Sequence, residues 1–203
     1  MELNIQYEKI IDDLLKQQYS IVDDFFMPNV VESLRNSLIN KYEEEEFKKA
    51  AIGNQFNEFI VKAIRGDFIC WIDEKNANNE EQTFFDKIEH FTDYLNRTCF
   101  LGIQEREFHY ALYPEGTFYK RHLDTFQNDD SRKLSLVCYL NDEDWLPEYG
   151  GELVIYKEGE EDIKVYPLKG RMVVFESQVL EHEVKPVKQE RLSITGWLKT
   201  RKL

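Results

Sequence analysis

The sequence predicts an α+β fold in which N-terminal helices pack against a C-terminal β-core. Apolar residues recur at helical spacing in segments of the N-terminal half. From Glu107 onward, short alternating segments follow one another with turns between them, which is typical of a sandwich or jelly roll closed from two sheets. The chain has 203 residues, 42% of them hydrophobic, which suits one domain with a sizeable core. We therefore predict a single domain over 1–203, with a supporting region at 1–106 and the β-core at 107–203.

The first elements alternate between helix and strand. Ile5–Gln18 carries a helical stripe of apolar residues, and Tyr19–Phe26 has the character of a strand. Pro28 suits the first position of a helix that runs on to Ile39, because the missing N–H is not needed there. Lys48–Gly66 mixes small, polar and aromatic residues without a sustained period, so we predict a mobile loop or hairpin.

A strand and a third helix complete the supporting region. Ile64–Ile72 has the alternating, aromatic-rich character of a strand. Lys75–Gln82 is predicted to be a polar loop. Thr83 is suited to cap a helix that follows it. The predicted apolar face of that helix consists of Phe84, Phe85, Ile88, Phe91 and Leu95.

The β-core is predicted to hold eight strands. Turn residues such as Gly150-Gly151 and Lys169-Gly170 punctuate them. In chain order the predicted strands are Phe108–Tyr113, Thr117–Asp124, Lys133–Asn141, Gly151–Lys157, Asp162–Pro167, Arg171–Glu176, Glu181–Pro186 and Arg191–Thr200.

Charge and cysteine content narrow the possible partners and compartments. With 26 basic and 39 acidic residues the formal net charge is −13, and such a surface repels phosphate backbones, so we expect no nucleic-acid partner. The cysteines Cys70, Cys99 and Cys138 are widely spaced and form no paired motif, which favours a reducing cytoplasm. We find no signal-peptide pattern and no apolar run long enough to cross a bilayer, so we expect a soluble cytoplasmic protein without a membrane partner. No feature indicates a dimer, and a monomer is the default.

Two histidines and an aspartate are candidate ligands of a metal ion. His122 and Asp124 lie two residues apart on a predicted strand, so their side chains point to the same face. His182 lies on a later strand of the same core. Two imidazoles and one carboxylate on one face of a metal leave the opposite face open for a co-substrate and oxygen. Each residue alone is weak support, but their combination predicts a non-haem iron oxygenase.

The last predicted strand carries an arginine that fits such an enzyme. Arg191 shares one strand face with Thr195 and Trp197 by alternation. An arginine buried in a β-core needs an anionic partner, and its planar fork binds a carboxylate through two hydrogen bonds. Tyr139, on a strand before it, is able to supply a hydroxyl to the same carboxylate. By itself Arg191 also fits the surface of an edge strand; together with the three metal-ligand candidates, the binding role is favoured.

These residues belong to a wider resemblance. From about Tyr19 to Leu198 the sequence resembles the prolyl 4-hydroxylase family of 2-oxoglutarate- and iron(II)-dependent dioxygenases, above all the oxygen-sensing type and its bacterial relatives. The resembling motifs are Ile64-Arg65-Gly66-Asp67 with Trp71, the run Tyr113–Asp124, Cys138–Asn141, Gly150–Leu153, and His182 with Arg191 and Trp197. In combination these motifs are specific, and they span most of the chain.

The resemblance implies a fold, a set of ligands and a mechanism class. The fold is a double-stranded β-helix, a jelly-roll of the cupin-like kind. Iron(II) and 2-oxoglutarate are the implied cofactor and co-substrate, with dioxygen consumed and ascorbate as a further candidate. The implied iron ligands are His122, Asp124 and His182. Arg191 and Tyr139 hold the distal carboxylate of 2-oxoglutarate, and Tyr113 and Thr195 line its pocket.

The resemblance also implies a protein or peptide substrate. Tyr119, Arg132 and Trp197 face the target peptide, and Lys48–Asp67 is the mobile loop that closes over it. The chain departs from the family pattern in that loop and around Thr125–Ser131, which are regions that help to select the substrate.

The expected function is hydroxylation of a peptidyl proline, with decarboxylation of 2-oxoglutarate to succinate. The same site would serve hydroxylation of another amino-acid residue or of a small molecule, and these alternatives stay open. A nucleic-acid demethylase is disfavoured by the net charge of −13. A non-catalytic metal-binding β-barrel module is a further alternative, disfavoured by the intact set of three ligands and Arg191.

Overall fold

The computed structural model describes residues 3–50, 64–125, 131–142 and 145–201. Within these ranges the helices are α1 (Ile5–Gln17), α2 (Pro28–Glu43) and α3 (Asn79–Cys99). The strands are β1 (Tyr19–Val22), β2 (Lys48–Lys49), β3 (Phe68–Ile72), β4 (Ile103–Tyr113), β5 (Tyr119–His122), β6 (Arg132–Tyr139), β7 (Leu153–Tyr156), β8 (Ile163–Val165), β9 (Met172–Glu176), β10 (Glu181–Val184) and β11 (Arg191–Thr200). Most of the predicted Lys48–Gly66 loop, and most of Thr125–Ser131, lie outside the described residues.

The first two helices follow the prediction, whereas the third begins earlier than predicted. Asn4 caps α1 by accepting a hydrogen bond from the Tyr7 N–H, and Pro28 opens α2. The predicted polar loop Lys75–Gln82 is wrong from Asn79 onward. Asn78 and Glu81 form a reciprocal capping box that starts α3 at Asn79, ahead of the predicted cap.

The strands form two antiparallel sheets, which confirms the predicted α+β fold with a double-stranded β-helix core. The larger sheet has the order β1-β9-β6-β11-β4-β3-β2, and the smaller has the order β5-β10-β7-β8. Strand β4 starts at Ile103, so it crosses the boundary predicted between 106 and 107. Strand β1 ends at Val22 rather than at Phe26, since the chain bends over the next four residues.

The larger sheet is buried on both faces, and this decides where the site can lie. On β4, Phe108, Tyr110 and Leu112 belong to the core shared with the helices, while Ala111 and Tyr113 belong to the core between the sheets. Alternation along a strand separates these two sets. Polar side chains on the inner face are therefore enclosed by two apolar layers, where they need partners or a ligand.

One glycine allows the two central strands to pack closely. A Cβ atom on Gly196 of β11 would lie 2.1 Å from Cδ1 of Phe108 and 2.3 Å from the carbonyl oxygen of Glu107. Gly196 is paired with Phe108 across the β4–β11 ladder. The absence of a side chain there lets Phe108 enter the helix-side core, and β11 runs without interruption past the site.

Among the described helices, none is both long enough and apolar enough to cross a bilayer.

Candidate metal and carboxylate site

The predicted metal ligands come together between the two sheets. His122 ends β5 and lies opposite His182 of β10 in the sheet register. Asp124 follows two residues after the end of β5, so the predicted strand Thr117–Asp124 is too long at both ends. The Nε2 atom of His122 lies 3.4 Å from Asp124 Oδ1, and that of His182 lies 3.6 Å from Asp124 Oδ2. All three ligand atoms lie within 4.8 Å of one another, a spacing that one metal ion can bridge.

Backbone carbonyls orient both imidazole rings. Nδ1 of His122 lies 2.7 Å from the carbonyl oxygen of Lys120, and Nδ1 of His182 lies 3.1 Å from that of Leu180. A ring that donates from Nδ1 carries its free lone pair on Nε2. In both rings Nε2 is the atom that faces Asp124. The site therefore fits a divalent ion bound by two neutral imidazoles and a carboxylate.

Asp124 is held as a carboxylate by its surroundings. Burial alone would raise its pKa, but the nearby His182 and His122 and a hydrogen bond from Ser135 outweigh burial and leave the pKa well below its ordinary value. The Ser135 hydroxyl lies 2.7 Å from Asp124 Oδ2 and 2.8 Å from the hydroxyl of Ser177. Burial lowers the pKa of His182, so that ring is neutral and able to bind a metal.

Arg191 is a buried cation without an acidic partner among the described residues. Its side chain is 2% exposed, its Nε atom has no hydrogen-bond partner, and one Nη atom reaches only the Ser193 hydroxyl at 3.4 Å. The guanidinium carbon lies 4.9 Å from the ring centroids of both Tyr113 and Tyr139. The Tyr139 hydroxyl is also buried and unpaired in the described part of the chain. Such a pair fits an anion with two oxygens, as 2-oxoglutarate has at its distal end.

A cavity of about 170 Å³ connects the arginine to the metal ligands. Every predicted site residue except Tyr139 lines it. Tyr139 is fully buried and meets the site through Arg191. Thr195 lines the cavity from β11, and burial raises the pKa of Tyr113, so its hydroxyl keeps its proton. The apolar part of the lining includes Ile69, Val137, Leu153, Phe175 and Val184.

The residues predicted to face a peptide contact the candidate metal ligands or one another. Tyr119 stacks on His122, with ring centroids 3.7 Å apart. The guanidinium of Arg132 lies 3.5 Å from the ring centroid of Trp197. Arg132 also donates hydrogen bonds to Glu107 and to the backbone carbonyl of Asp124, which ties this wall to the metal site.

Several residues at the site had no individual role predicted from the sequence. Arg65 binds Asp67 through two hydrogen bonds of 2.8 and 2.6 Å, and its guanidinium carbon lies 4.2 Å from the ring centroid of Tyr119. The Arg65-Gly66-Asp67 motif marked this segment in the sequence, but the sequence alone did not show which side chains it contacts. Ser135 donates a hydrogen bond to Asp124, and this contact depends on how the chain folds.

Comparisons with known proteins agree with this geometry. Residues 108–199 match a model of the 2OG-Fe(II) oxygenase superfamily. A hypoxia-inducible factor prolyl hydroxylase of Caenorhabditis elegans is 28% identical over 97% of this chain. The prolyl hydroxylase EGLN3 of Homo sapiens is 34% identical over 66% of it. The chain spans only 29% and 58% of the lengths of these two curated relatives.

Two solved structures are similar to this protein over 95% or more of its chain. A prolyl-4-hydroxylase from Pseudomonas putida superposes with a TM-score of 0.87 at 36% identity, covering 97% of this chain and 100% of that one. A prolyl hydroxylase from Trichoplax adhaerens was solved with a peptide fragment of the oxygen degradation domain of hypoxia inducible factor. It superposes with a TM-score of 0.85 at 27% identity, covering 95% of this chain and 88% of that one. The chain therefore belongs to the prolyl 4-hydroxylase family of 2-oxoglutarate- and iron(II)-dependent dioxygenases.

Proposed function

We propose that this protein hydroxylates a peptidyl proline in a protein substrate, using iron(II), dioxygen and 2-oxoglutarate. The main observation is that one cavity contains both a cluster of candidate metal ligands and a buried arginine. The three clustered metal-ligand atoms face the same space as Arg191, a buried cation that lacks an acidic partner in the described residues. A dicarboxylate that reaches from the metal to the guanidinium would complete both.

Each side chain then has a definite task. His122, Asp124 and His182 would hold the ion, and the Lys120 and Leu180 carbonyls would keep both imidazoles in the tautomer whose Nε2 atom binds a metal. Arg191, with the Tyr139 hydroxyl, binds the distal carboxylate, while Tyr113 and Thr195 line the space between. When bound, iron(II) and 2-oxoglutarate supply the oxidising chemistry, in which decarboxylation to succinate is coupled to insertion of one oxygen atom into a C–H bond.

The outer wall is suited to a peptide. Tyr119, Arg132 and Trp197 line the cavity beside the metal-ligand candidates, and Trp71, which also lines it, is 54% exposed. The relatives from Pseudomonas putida and Trichoplax adhaerens are prolyl hydroxylases, which supports proline as the target residue. Closure by Lys48–Asp67, a cytoplasmic location, a monomeric state and a role for ascorbate stay predictions.

The proposal is tested with protein reconstituted with iron(II) under anaerobic conditions and then exposed to oxygen. Succinate is measured with and without proline-containing peptides, including a peptide of the oxygen degradation domain of hypoxia inducible factor. Mass spectrometry then follows the peptides. We expect peptide-stimulated succinate formation and a mass gain of one oxygen atom on proline. The same peptides with proline replaced by alanine are the control. Succinate formation that no proline peptide stimulates would contradict peptidyl proline as the target.

A further inference from the structure

A third histidine lies in the cavity wall without an assigned role. His109 is in the middle of β4, and its neighbours in the sheet are Trp71 on β3 and Thr195 on β11. Its side chain shares the inner face of β4 with Ala111 and Tyr113 and lines the cavity that holds the metal ligands. The residue is 3% exposed, so it is part of the protein interior rather than of the surface.

One nitrogen of the His109 imidazole lacks a hydrogen-bond partner in the described part of the chain. Its Nδ1 atom is shielded from solvent and unpaired. Its contacts are with aromatic rings: the centroid of Trp71 lies 4.9 Å away in an edge-on arrangement and that of Trp197 lies 5.6 Å away. A buried polar nitrogen without a partner is unfavourable, and an apolar side chain of similar size would avoid that penalty. The unpaired nitrogen therefore points to a partner that arrives with a ligand.

The neighbouring tryptophan, Trp197, carries a hydrogen-bond donor that also lacks a partner in the described residues. Nε1 of Trp197 is likewise buried and unpaired in the described residues. An indole N–H can only donate a hydrogen bond, whereas a neutral imidazole accepts at one of its nitrogens. Burial lowers the pKa of His109 to about 3, and the nearby Arg65 and Arg132 also oppose its protonation. The wall thus offers one donor and one acceptor side by side.

A peptide backbone matches this pair better than a free amino acid does. Each non-proline residue of a peptide carries one N–H donor and one carbonyl acceptor. A free amino acid would bring a charged amine and carboxylate, yet the cations beside this wall, Arg65 and Arg132, already bind Asp67 and Glu107. A neutral amide needs no counter-charge in a buried site.

Building on the proposed function, we propose that His109 is a specificity-determining residue that accepts a hydrogen bond from a backbone N–H of the substrate peptide. Trp197 donates to a neighbouring substrate carbonyl. The two residues select a peptide over free proline and fix the strand direction of the peptide beside the metal ligands.

The first test separates peptide binding from co-substrate binding. The probe is a library of acetylated and amidated peptides with one proline and varied flanking residues. In the wild type, the most active peptide is chosen for kinetics. For His109→Leu we expect the peptide KM to rise roughly 10-fold while the KM for 2-oxoglutarate is unchanged, because only the substrate contact is lost. His109→Asn, whose amide lies near the former Nδ1 position, should recover most of the affinity. His90→Leu, at an exposed position of α3 outside the cavity lining, is the control for loss of a histidine elsewhere in the chain.

The second test identifies the hydrogen bond itself. The chosen peptide is remade with an ester in place of one backbone amide at a time, which removes a single N–H. At one position we expect the ester to raise the KM of the wild type but not that of His109→Leu, since the two changes remove the same interaction. Equal peptide KM values for wild type and His109→Leu, or additive effects at every ester position, would overturn the role of His109. A wild type that hydroxylates no peptide of the library would instead overturn the proposed function on which that role rests.

Discussion

The Ser135 hydroxyl donates a 2.7 Å hydrogen bond to Oδ2 of Asp124, and Ser177 lies 2.8 Å from the same hydroxyl. Ser135 and Ser177 are both fully buried, so this chain of hydrogen bonds is shielded from water. It orients the carboxylate toward the two imidazoles, and neither serine is one of the three candidate metal ligands. Partners of this kind affect metal binding through the ligand they hold.

Ser135→Ala should therefore weaken metal binding while leaving the fold intact. We expect Mn(II) affinity to fall by about 10- to 100-fold, the usual effect of removing a partner of a metal ligand. Titration calorimetry with Mn(II) measures it. Ser20→Ala is the matched control, because Ser20 is also buried and donates a 2.7 Å bond to a carboxylate, that of Asp13, away from the site. Equal Mn(II) affinity in the two variants would contradict the role of Ser135.

Metal binding should stabilise the protein through Asp124. At a hundredfold excess of Mn(II) over its Kd, mass action stabilises the folded state by about 2.7 kcal/mol. We expect the melting temperature of the wild type to rise with Mn(II) and to fall back when EDTA removes it. Asp124→Ala should show neither change and no turnover. Asp12→Ala, an exposed aspartate of α1, should behave as the wild type. A wild-type response in Asp124→Ala would remove this residue from the metal site.

Arg191→Lys keeps the positive charge but loses the planar fork. We expect an apparent KM for 2-oxoglutarate raised by about 10- to 100-fold, because hydrogen bonds between charged groups contribute about 1.5–3 kcal/mol. The melting temperature without ligand should change little. Arg171→Lys is the control, because Arg171 binds a carboxylate, that of Asp23, through two hydrogen bonds away from the cavity. An unchanged dependence on 2-oxoglutarate in Arg191→Lys would exclude Arg191 as its anchor.

Gly196→Ala should destabilise the fold by overpacking. The added methyl group would lie 2.1 Å from Phe108, so β4 and β11 must separate. We expect the free energy of unfolding to fall by about 1–3 kcal/mol or more, measured by urea denaturation. Gly159→Ala provides the comparison, since Gly159 has a φ of +77° but no atom within 4 Å of the added group. A smaller loss in Gly196→Ala than in Gly159→Ala would show that the two strands adjust.

Cys138 should make the stability of the protein pH-dependent in alkaline solution. Burial raises the pKa of its thiol to about 12 from an ordinary value of 9.0. Between these values the unfolded chain releases the thiol proton while the folded chain keeps it, so the free energy of unfolding falls as pH rises. The slope from this group is at most about 1.4 kcal/mol per pH unit. Urea denaturation at several pH values should show that the free energy of unfolding falls less steeply with pH in Cys138→Ala than in the wild type. Cys99→Ala leaves Cys138 in place and should keep the wild-type slope.

Local pattern was enough to predict most of the elements. Strand β11 was predicted with its bounds Arg191–Thr200, because polar Arg191, Ser193 and Thr195 alternate with apolar residues along it. The start of α3 was missed because Thr83 is an acceptable cap when only the apolar stripe is considered. Asn78 and Glu81 together satisfy two N–H groups, and this capping box decides the start. The end of β5 was missed because Asp124 leaves the ladder to reach Ser135, a contact between residues of different strands.

By itself, the sequence determined the residue types of the site, their order along the chain and the strand faces on which most of them lie. Those properties follow from side-chain chemistry and from a two-residue repeat, which are local. Only the tertiary structure decided that His122 lies opposite His182, that Arg191 is buried without an acidic partner, and that His109 stands unpaired between two tryptophans. Burial and partnership depend on segments that are distant in sequence and meet only when the two sheets pack together.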